Sequence, residues 1–367
     1  MKIECTQENL KKGLNIVSRI INKNTNLPIL NNIYIETKEN KLKLIATDLE
    51  MGIEFVLPCK VIEEGNLVVP GLLFSNYINS LPASNIIIES KDTEMSIKCS
   101  SFKTKINCFN ADDFPILPEI EKGVSYSISG IDFFDSLSKI VFSVANNKNR
   151  PEINGLLFKV EGENLFLVGT DGYRLTEKKM NIANESNISK EIIIPLSTIQ
   201  EIIKILQVEK ENLNFVVSDN QILVKTKNIS LISRLISGEY PDYKQIIPED
   251  FNTSFKINKN EFINIVKNIG LFADKTSSDI NIKTEFDNKK LVIESKNNQF
   301  GENKAEIDKE ILGQDNFINF NYQYILDGLN SIDEDIVSFS FINENMPALI
   351  KGEDNFDYIY IVMPIRV

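Results

Sequence analysis

The sequence predicts an α+β protein in which one unit, with two helices and antiparallel sheets, occurs three times. Three observations predict it. A short alternating strand runs into an amphipathic helix at three places. A second strand feeds a second helix in the middle of each stretch, and the remainder reads as alternating apolar runs between turn residues. The repeat length is roughly 125 residues, a whole domain rather than a solenoid unit.

The three openings are Met1-Lys2-Ile3-Glu4-Cys5-Thr6, Val124-Ser125-Tyr126-Ser127-Ile128-Ser129 and Thr253-Ser254-Phe255-Lys256-Ile257-Asn258. Each ends in a residue suited to capping a helix N-terminus: Thr6, Ser129 or Asn258. The helices that follow are expected from Gln7 to about Asn22, Gly130 to about Ala145 and Lys259 to about Ala273. Each carries an apolar stripe at helical spacing. The stripes are Leu10, Leu14, Val17 and Ile21; Phe133, Leu137, Ile140 and Val144; and Phe262, Val266, Ile269 and Ala273.

In the middle of each unit, Gly65 to Pro70, Glu191 to Pro195 and Phe317 to Asn321 read as strands. Second helices are expected over 71–81, 196–206 and 322–329. Pro70 and Pro195 suit a first helical turn, where a missing N–H costs nothing, and Asn321 replaces them in the third copy. Further strands are expected at Lys41 to Ile45, Leu165 to Val168 and Leu291 to Glu294. Polar stretches at Glu121-Lys122-Gly123 and Glu249 to Asn252 divide the chain into residues 1–122, 123–250 and 251–367.

Composition narrows the chemistry. The chain has 367 residues, 42% hydrophobic and 25% charged, enough for each of three domains to bury a core. There is no histidine. Ser-His-Asp triads, Cys-His dyads and His-ligated metals are therefore excluded. Cys5, Cys59, Cys99 and Cys108 form no CxxC pair and are expected as buried free thiols. With no P-loop, GxGxxG or EF-hand spacing, no catalytic residue, metal or cofactor is expected. No apolar run reaches bilayer-spanning length and the N-terminus lacks a secretion pattern, so the expected setting is soluble and cytoplasmic, with no membrane partner.

The net charge is −12, which taken alone argues against a nucleic-acid partner. The basic residues are not spread evenly, however. Lys12, Arg19 and Lys23 lie off the apolar stripe of the first helix. Lys139 lies on the second, which runs out into Lys148 and Arg150. Lys259, Lys267 and Lys275 belong to the third, and Lys204 to the second helix of the middle unit. One such face is ordinarily just solvated, but recurrence in three copies of an acidic chain points to an anionic target. No aromatic residues interleave with these charges, which favours sequence-blind contact with duplex phosphates over base stacking.

Several local motifs, in this order and spacing, carry a family resemblance. They are Leu27-Pro28-Ile29-Leu30-Asn31-Asn32, Ala46-Thr47-Asp48-Leu49-Glu50-Met51, Asn154-Gly155-Leu156-Leu157-Phe158, Thr170-Asp171-Gly172-Tyr173-Arg174-Leu175, Gly238-Glu239-Tyr240-Pro241-Asp242-Tyr243 and the terminal Val362-Met363-Pro364-Ile365-Arg366-Val367. Over its whole length the chain resembles the bacterial DNA polymerase III beta subunit, the beta sliding clamp. The resemblance implies three DNA-clamp domains per chain and a head-to-tail homodimer closed into a ring around duplex DNA, with helices lining the hole. It implies a non-catalytic factor that keeps a replicative polymerase on DNA. Lys12, Arg19, Lys23, Lys148, Arg150, Lys204 and Lys267 become the DNA-contact candidates.

The resemblance further implies a pocket between the second and third domains for short peptide motifs of polymerases, the clamp loader and repair proteins. Its residues here are Ile153, Thr170, Gly172, Tyr173, Arg174, Leu175, Pro241, Ile246, Ile361, Met363, Pro364, Ile365 and Arg366. Apolar side chains with a flexible methionine suit an adaptable groove. Phe74, Leu271 and Phe272 are the expected dimer contacts. Two other readings remain open at this point. One is a carboxylate-dependent hydrolase using Asp48 and Asp171, against which stands the plain role of Asp in a shared turn. The other is a peptide-binding scaffold that needs no DNA.

Overall fold

A computed structural model describes residues 1–21, 27–118, 120, 122–147, 149–184, 187–274 and 276–366. Six α-helices lie among them: α1 (Gln7–Val17), α2 (Gly71–Ser80), α3 (Gly130–Ser138), α4 (Leu196–Val208), α5 (Lys259–Gly270) and α6 (Tyr322–Ser331). All six stand where the repeat places them. Thr6 Oγ1 accepts from the Asn9 N–H, and Asn258 Oδ1 from the Glu261 N–H at 3.1 Å, so both act as N-caps. Asn321 also caps, accepting from the Gln323 N–H at 2.9 Å. Pro70 occupies this same cap position before α2, and Pro195 directly precedes α4. The prolines therefore stand one residue outside the first turn, not within it.

Three helices end earlier than their apolar periodicity. α1 stops at Val17, α3 at Ser138 and α5 at Gly270. Beyond α3 the chain tightens into a 3-10 turn, Val141–Ser143, yet Ile140 and Val144 stay buried. Every member of the three predicted stripes is buried, Ile21 and Ala273 included. The pattern thus marks what faces the core, and that outlasts the helix itself.

The chain folds into two compact units, Met1–Ile131 with Lys204–Leu235, and Asp132–Ile203 with Ile236–Val367. The first holds two antiparallel sheets. A five-stranded sheet runs in the order Lys60–Glu63, Lys2–Thr6, Asn85–Lys91, Glu94–Cys99, Phe102–Asn107. An eight-stranded sheet runs Val124–Ile128, Leu213–Val217, Gln221–Lys225, Ile229–Arg234, Met51–Pro58, Lys41–Thr47, Asn32–Lys38, Gly65–Pro70. Its middle joins two sequence repeats, because Ile229–Arg234 pairs with Met51–Pro58 in a register that sets Leu231 opposite Ile53. Leu10, Leu14, Val17, Phe74 and Ile78 from α1 and α2 are fully buried in this unit.

The second unit is built likewise. A nine-stranded sheet runs Lys190–Pro195, Gly155–Glu161, Asn164–Thr170, Arg174–Asn181, Tyr358–Val362, Ala348–Gly352, Ile336–Phe341, Thr253–Asn258, Ile311–Gly313. Here Arg174–Asn181 pairs with Tyr358–Val362, again across a repeat boundary, with Leu175 opposite Ile361. A four-stranded sheet runs Gly301–Asp308, Lys290–Asn297, Asp279–Glu285, Asn316–Asn321. One core gathers Phe255, Phe262, Phe320, Phe339 and Phe341, in which the Phe255 and Phe339 rings stack at 5.2 Å. A second, smaller core gathers Leu157, Val168, Leu175, Ile193, Tyr240, Tyr243, Leu349 and Ile361. The middle repeat is therefore shared, one half of it completing each unit's large sheet.

All four cysteines are free; Cys5, Cys99 and Cys108 are buried, whereas Cys59 is only half-buried. Burial pushes the Cys5 thiol up to about 12 and those of Cys59 and Cys108 up to about 11, so these three are not thiolates near neutrality. Among the described residues no helix is long and apolar enough to cross a membrane, and no acidic or thiol cluster could hold a metal ion.

Candidate functional site

The Thr-Asp motif of the middle repeat is a tight turn between Asn164–Thr170 and Arg174–Asn181. Thr170 Oγ1 donates to the Arg174 carbonyl at 2.7 Å and accepts from the Gly172 N–H at 3.1 Å. Asp171 Oδ1 accepts from the N–H groups of Tyr173 (2.9 Å) and Arg174 (3.0 Å). Gly172 takes φ +88°, a conformation glycine reaches without steric cost. The first repeat builds the same turn with Thr47, Asp48, Leu49 and Glu50. Asp48 and Asp171 are thus turn builders, Oδ1 of each accepting from two backbone N–H groups, which is the plain role set against the hydrolase reading.

The turn throws Arg174 inward. Its side chain is mostly buried, and all three guanidinium nitrogens are engaged. Nε donates to Asp171 Oδ2 at 3.0 Å, Nη2 donates to the Phe142 carbonyl at 2.9 Å, and Nη1 is bonded to the Asp327 carboxylate of α6. The guanidinium also lies over the Tyr324 ring (4.6 Å) and the Phe142 ring (5.2 Å). Burial disfavours its charge, but the bond it donates to Asp327 and the charge of Asp171 more than offset that, so the ion is held charged.

The neighbouring Tyr173 points the other way. It is 63% exposed and stacks on Tyr324 with ring centroids 6.3 Å apart. The C-terminal tail closes on the same turn, the Met363 N–H donating to the Tyr173 carbonyl at 2.8 Å and the Ile365 N–H to the Asn319 carbonyl at 2.9 Å. Met363, Pro364 and Ile365 are half-buried and Arg366 is exposed. Leu175 and Ile361 form part of the smaller core below, with Tyr240 and Tyr243 from the segment carrying Pro241. The Tyr243 hydroxyl is bonded to Glu177; burial and that carboxylate raise its pKa, so it stays a donor.

The structure therefore brings Thr170, Gly172, Tyr173, Arg174, Leu175, Ile361, Met363, Pro364 and Ile365 to one place. Ile153 is buried at the end of the turn Pro151–Ile153, and Ile246 is exposed at the end of the turn Tyr243–Ile246. Sequence reasoning missed Tyr324, Asp327, Phe142 and Asn319. Tyr324 and Asp327 share a face of α6 at i, i+3 spacing, which was a visible signal. Their partner 153 positions earlier was not.

The basic candidates divide. Arg19, Lys204 and Lys267 are exposed. Lys12 is not a free cation: its Nζ donates at 3.0 Å to Glu209, which is buried and also accepts from Thr226 Oγ1 (2.7 Å) and Asn228 (3.1 Å). Arg150 is exposed but bonded to Glu152 at 3.1 Å, and its guanidinium lies beside Gly172, at the turn described above. Of the other helix lysines, Lys139 joins Asp135 and Asp333, and Lys259 donates to the carbonyls of Ile332 and Asp333. Lys23, Lys148 and Lys275 lie outside the described residues. Of the three dimer candidates, Leu271 is 77% exposed and Phe272 is half-buried. Phe74 corrects the expectation: it is wholly buried in its own chain's core, and the exposed apolar neighbour is Leu73.

Comparison with known proteins gives one answer along the whole chain. Residues 1–118, 128–242 and 244–366 match, in turn, the N-terminal, central and C-terminal domains of the DNA polymerase III beta subunit. The beta sliding clamp of Staphylococcus epidermidis is 28% identical over 363 residues, covering 96% of each chain. A crystal structure of a putative DNA polymerase III beta subunit from Eubacterium rectale superimposes with a TM-score of 0.93 at 30% identity, and that of the Bacillus subtilis DNA polymerase sliding clamp with 0.95 at 25%. The former match covers 100% of both chains, the latter 100% of this chain and 99% of the other. With its three clamp domains matched in order, the chain belongs to the DNA polymerase III beta subunit family.

Proposed function

We propose that the chain works as a DNA sliding clamp, a homodimeric ring that encircles duplex DNA without reading its sequence and makes a replicative polymerase processive. The observation that carries this is the match of three consecutive family domains over almost every residue. The protein is a non-catalytic subunit of a polymerase assembly and works in the bacterial cytoplasm, at the nucleoid during replication. The domains run 1–122, 123–250 and 251–367.

Two open sheet edges support the head-to-tail dimer. Phe102–Asn107 ends the five-stranded sheet and exposes Lys103 and Lys105; Gly301–Asp308 ends the four-stranded sheet and exposes Glu302, Lys304, Glu306 and Asp308, an acidic excess. An unpaired edge is a template for another strand, and opposite charges on the two edges favour pairing between copies. Leu271 and Phe272 join this contact, with Leu73 in the place first given to Phe74. Arg19, Lys204 and Lys267 are the DNA-facing cations, joined by Lys23 and Lys148.

A ring leaves DNA only by opening or by running off an end. Weak, salt-sensitive phosphate contacts then suffice, and polymerase tethered to the ring gains a high local concentration at the primer terminus. Polymerase, clamp loader and repair proteins dock through short peptide motifs at the site of Tyr173, Arg174, Met363 and their neighbours. The test is retention after loading: the protein stays on nicked circular DNA and is lost when a nuclease linearises that DNA. Equal retention on both would overturn the encircling mode and leave the scaffold reading.

A further inference from the structure

The peptide site proposed above contains a charge held by partners within the chain. Arg174 is mostly buried and bonded to Asp171, the Phe142 carbonyl and Asp327. Those bonds commit one N–H on each of its three nitrogens, three of the five it carries. What it does present is its flat face, which lies 4.6 Å from the Tyr324 centroid. Tyr324 in turn stacks on the exposed Tyr173. The order is a layered one: Phe142 and Tyr324 rings against the guanidinium, then Tyr173 against Tyr324.

We infer that Asp327 is a positioning residue for peptide recognition: by fixing the Arg174 guanidinium it holds Tyr324 and Tyr173 stacked as an aromatic wall, against which an apolar or aromatic peptide side chain packs. The inference rests on the reading of this place as a peptide site. Asp171 cannot fix the guanidinium alone, because its other oxygen is already spent on the turn backbone. Asp327 comes from the third repeat while Arg174 comes from the second, so this ion pair couples the wall's two sides. Its carboxylate is itself 45% exposed, at the edge of the site. Loss of Asp327 frees one guanidinium nitrogen, and the guanidinium can then swing from under Tyr324.

The chain has no tryptophan, which permits a direct test. Tyr173→Trp places a single indole in the wall. Peptide affinity is measured with a labelled synthetic peptide carrying the clamp-binding motif of a bacterial replicative polymerase. In parallel, indole emission and its quenching by acrylamide are read without peptide. Asp327→Asn is expected to weaken peptide binding about tenfold and to red-shift and expose the indole. Asp327→Glu restores binding to within about threefold. Asp333→Asn, which removes a carboxylate paired with Lys139 elsewhere in the same unit, moves neither readout. If the parent protein binds no peptide, the peptide-site reading itself falls and this inference with it. If the parent binds and Asp327→Asn matches it in both affinity and indole exposure, the site stands and the positioning role is overturned.

Discussion

Lys12 shows how a residue's partner decides its role. From its place on a basic helix face it reads as a phosphate contact, but Glu209, 197 positions away, takes its charge. Nothing in the neighbourhood of either residue announces the pairing. Burial alone would raise the Glu209 carboxyl; bonds from Thr226, Asn228 and Lys12 outweigh it and hold the carboxyl below its ordinary value. A lowered folded pKa stabilises the fold above the unfolded value, about 4.3, and that contribution is lost as pH falls through the folded one. Glu209→Gln is therefore expected to cost about 1–2 kcal/mol at pH 7. The gap between parent and variant in thermal unfolding narrows below about pH 4.3. The twin turns were, by contrast, legible. Thr47-Asp48 and Thr170-Asp171 repeat the same short-range bonding, and both third residues take a positive φ, Leu49 at +75° and Gly172 at +88°. Nothing crowds a Cβ at Gly172, whose nearest neighbour is Arg150 Nη1 at 3.7 Å. The cost of Gly172→Ala is then backbone strain alone, about 1 kcal/mol in urea unfolding. A cost above about 3 kcal/mol would mean that the turn is held by more than its own bonds.

At the scale of elements, apolar spacing located the first helix of each repeat because each buries one stripe, and the repeated strand-to-helix passage located the second. The spacing failed at their C-terminal ends, where 3-10 turns and loops continue to bury every third or fourth side chain. Two glycines set how closely helices approach their neighbours. A Cβ on Gly270 would stand 2.5 Å from the Tyr322 ring, bringing α5 against the start of α6. A Cβ on Gly328 would collide with the ring of Tyr360, whose nearest atoms would stand 2.3 Å away. Gly328→Ala is expected to destabilise by about 1–3 kcal/mol through displaced packing. Hydrogen exchange should show the loosening concentrated in α6 and Tyr358–Val362; an effect spread evenly over both units would contradict the assignment. Asn321→Ala removes the cap of the same helix and is expected to cost about 1 kcal/mol. Its counterpart Pro70 has no side chain that can accept a bond, so α2 lacks this contribution.

For the whole molecule, the triplication was legible in the sequence and the sheet continuity was not. Strand pairing across repeats depends on registers such as Leu231 opposite Ile53, which local pattern does not encode. The site inherited that limit: Thr170 to Leu175 could be read directly, whereas Tyr324 and Asp327 come from the next repeat. The proposed dimer makes a charge prediction. Lys103→Glu with Lys105→Glu sets acid against Glu302 and Glu306 and is expected to give monomers in sedimentation at about 0.1 M salt. Unchanged dimers would remove these edges from the interface. The missing histidine makes a second one. The chain has no imidazole to titrate and burial holds the Cys5, Cys59 and Cys108 thiols up at about 11–12, so sedimentation is expected to be the same at about pH 6 and 8. The shared sheets have a consequence for anyone cutting the gene. A fragment ending at residue 122 would strip Met51–Pro58 of its neighbour Ile229–Arg234, and one starting at residue 251 would strip Tyr358–Val362 of Arg174–Asn181. Each truncated piece would bare a long apolar strand and clump. The workable scissors positions are set by hydrogen-bonded ladders, and the ancestral copies have become inseparable even though their texts remain distinct.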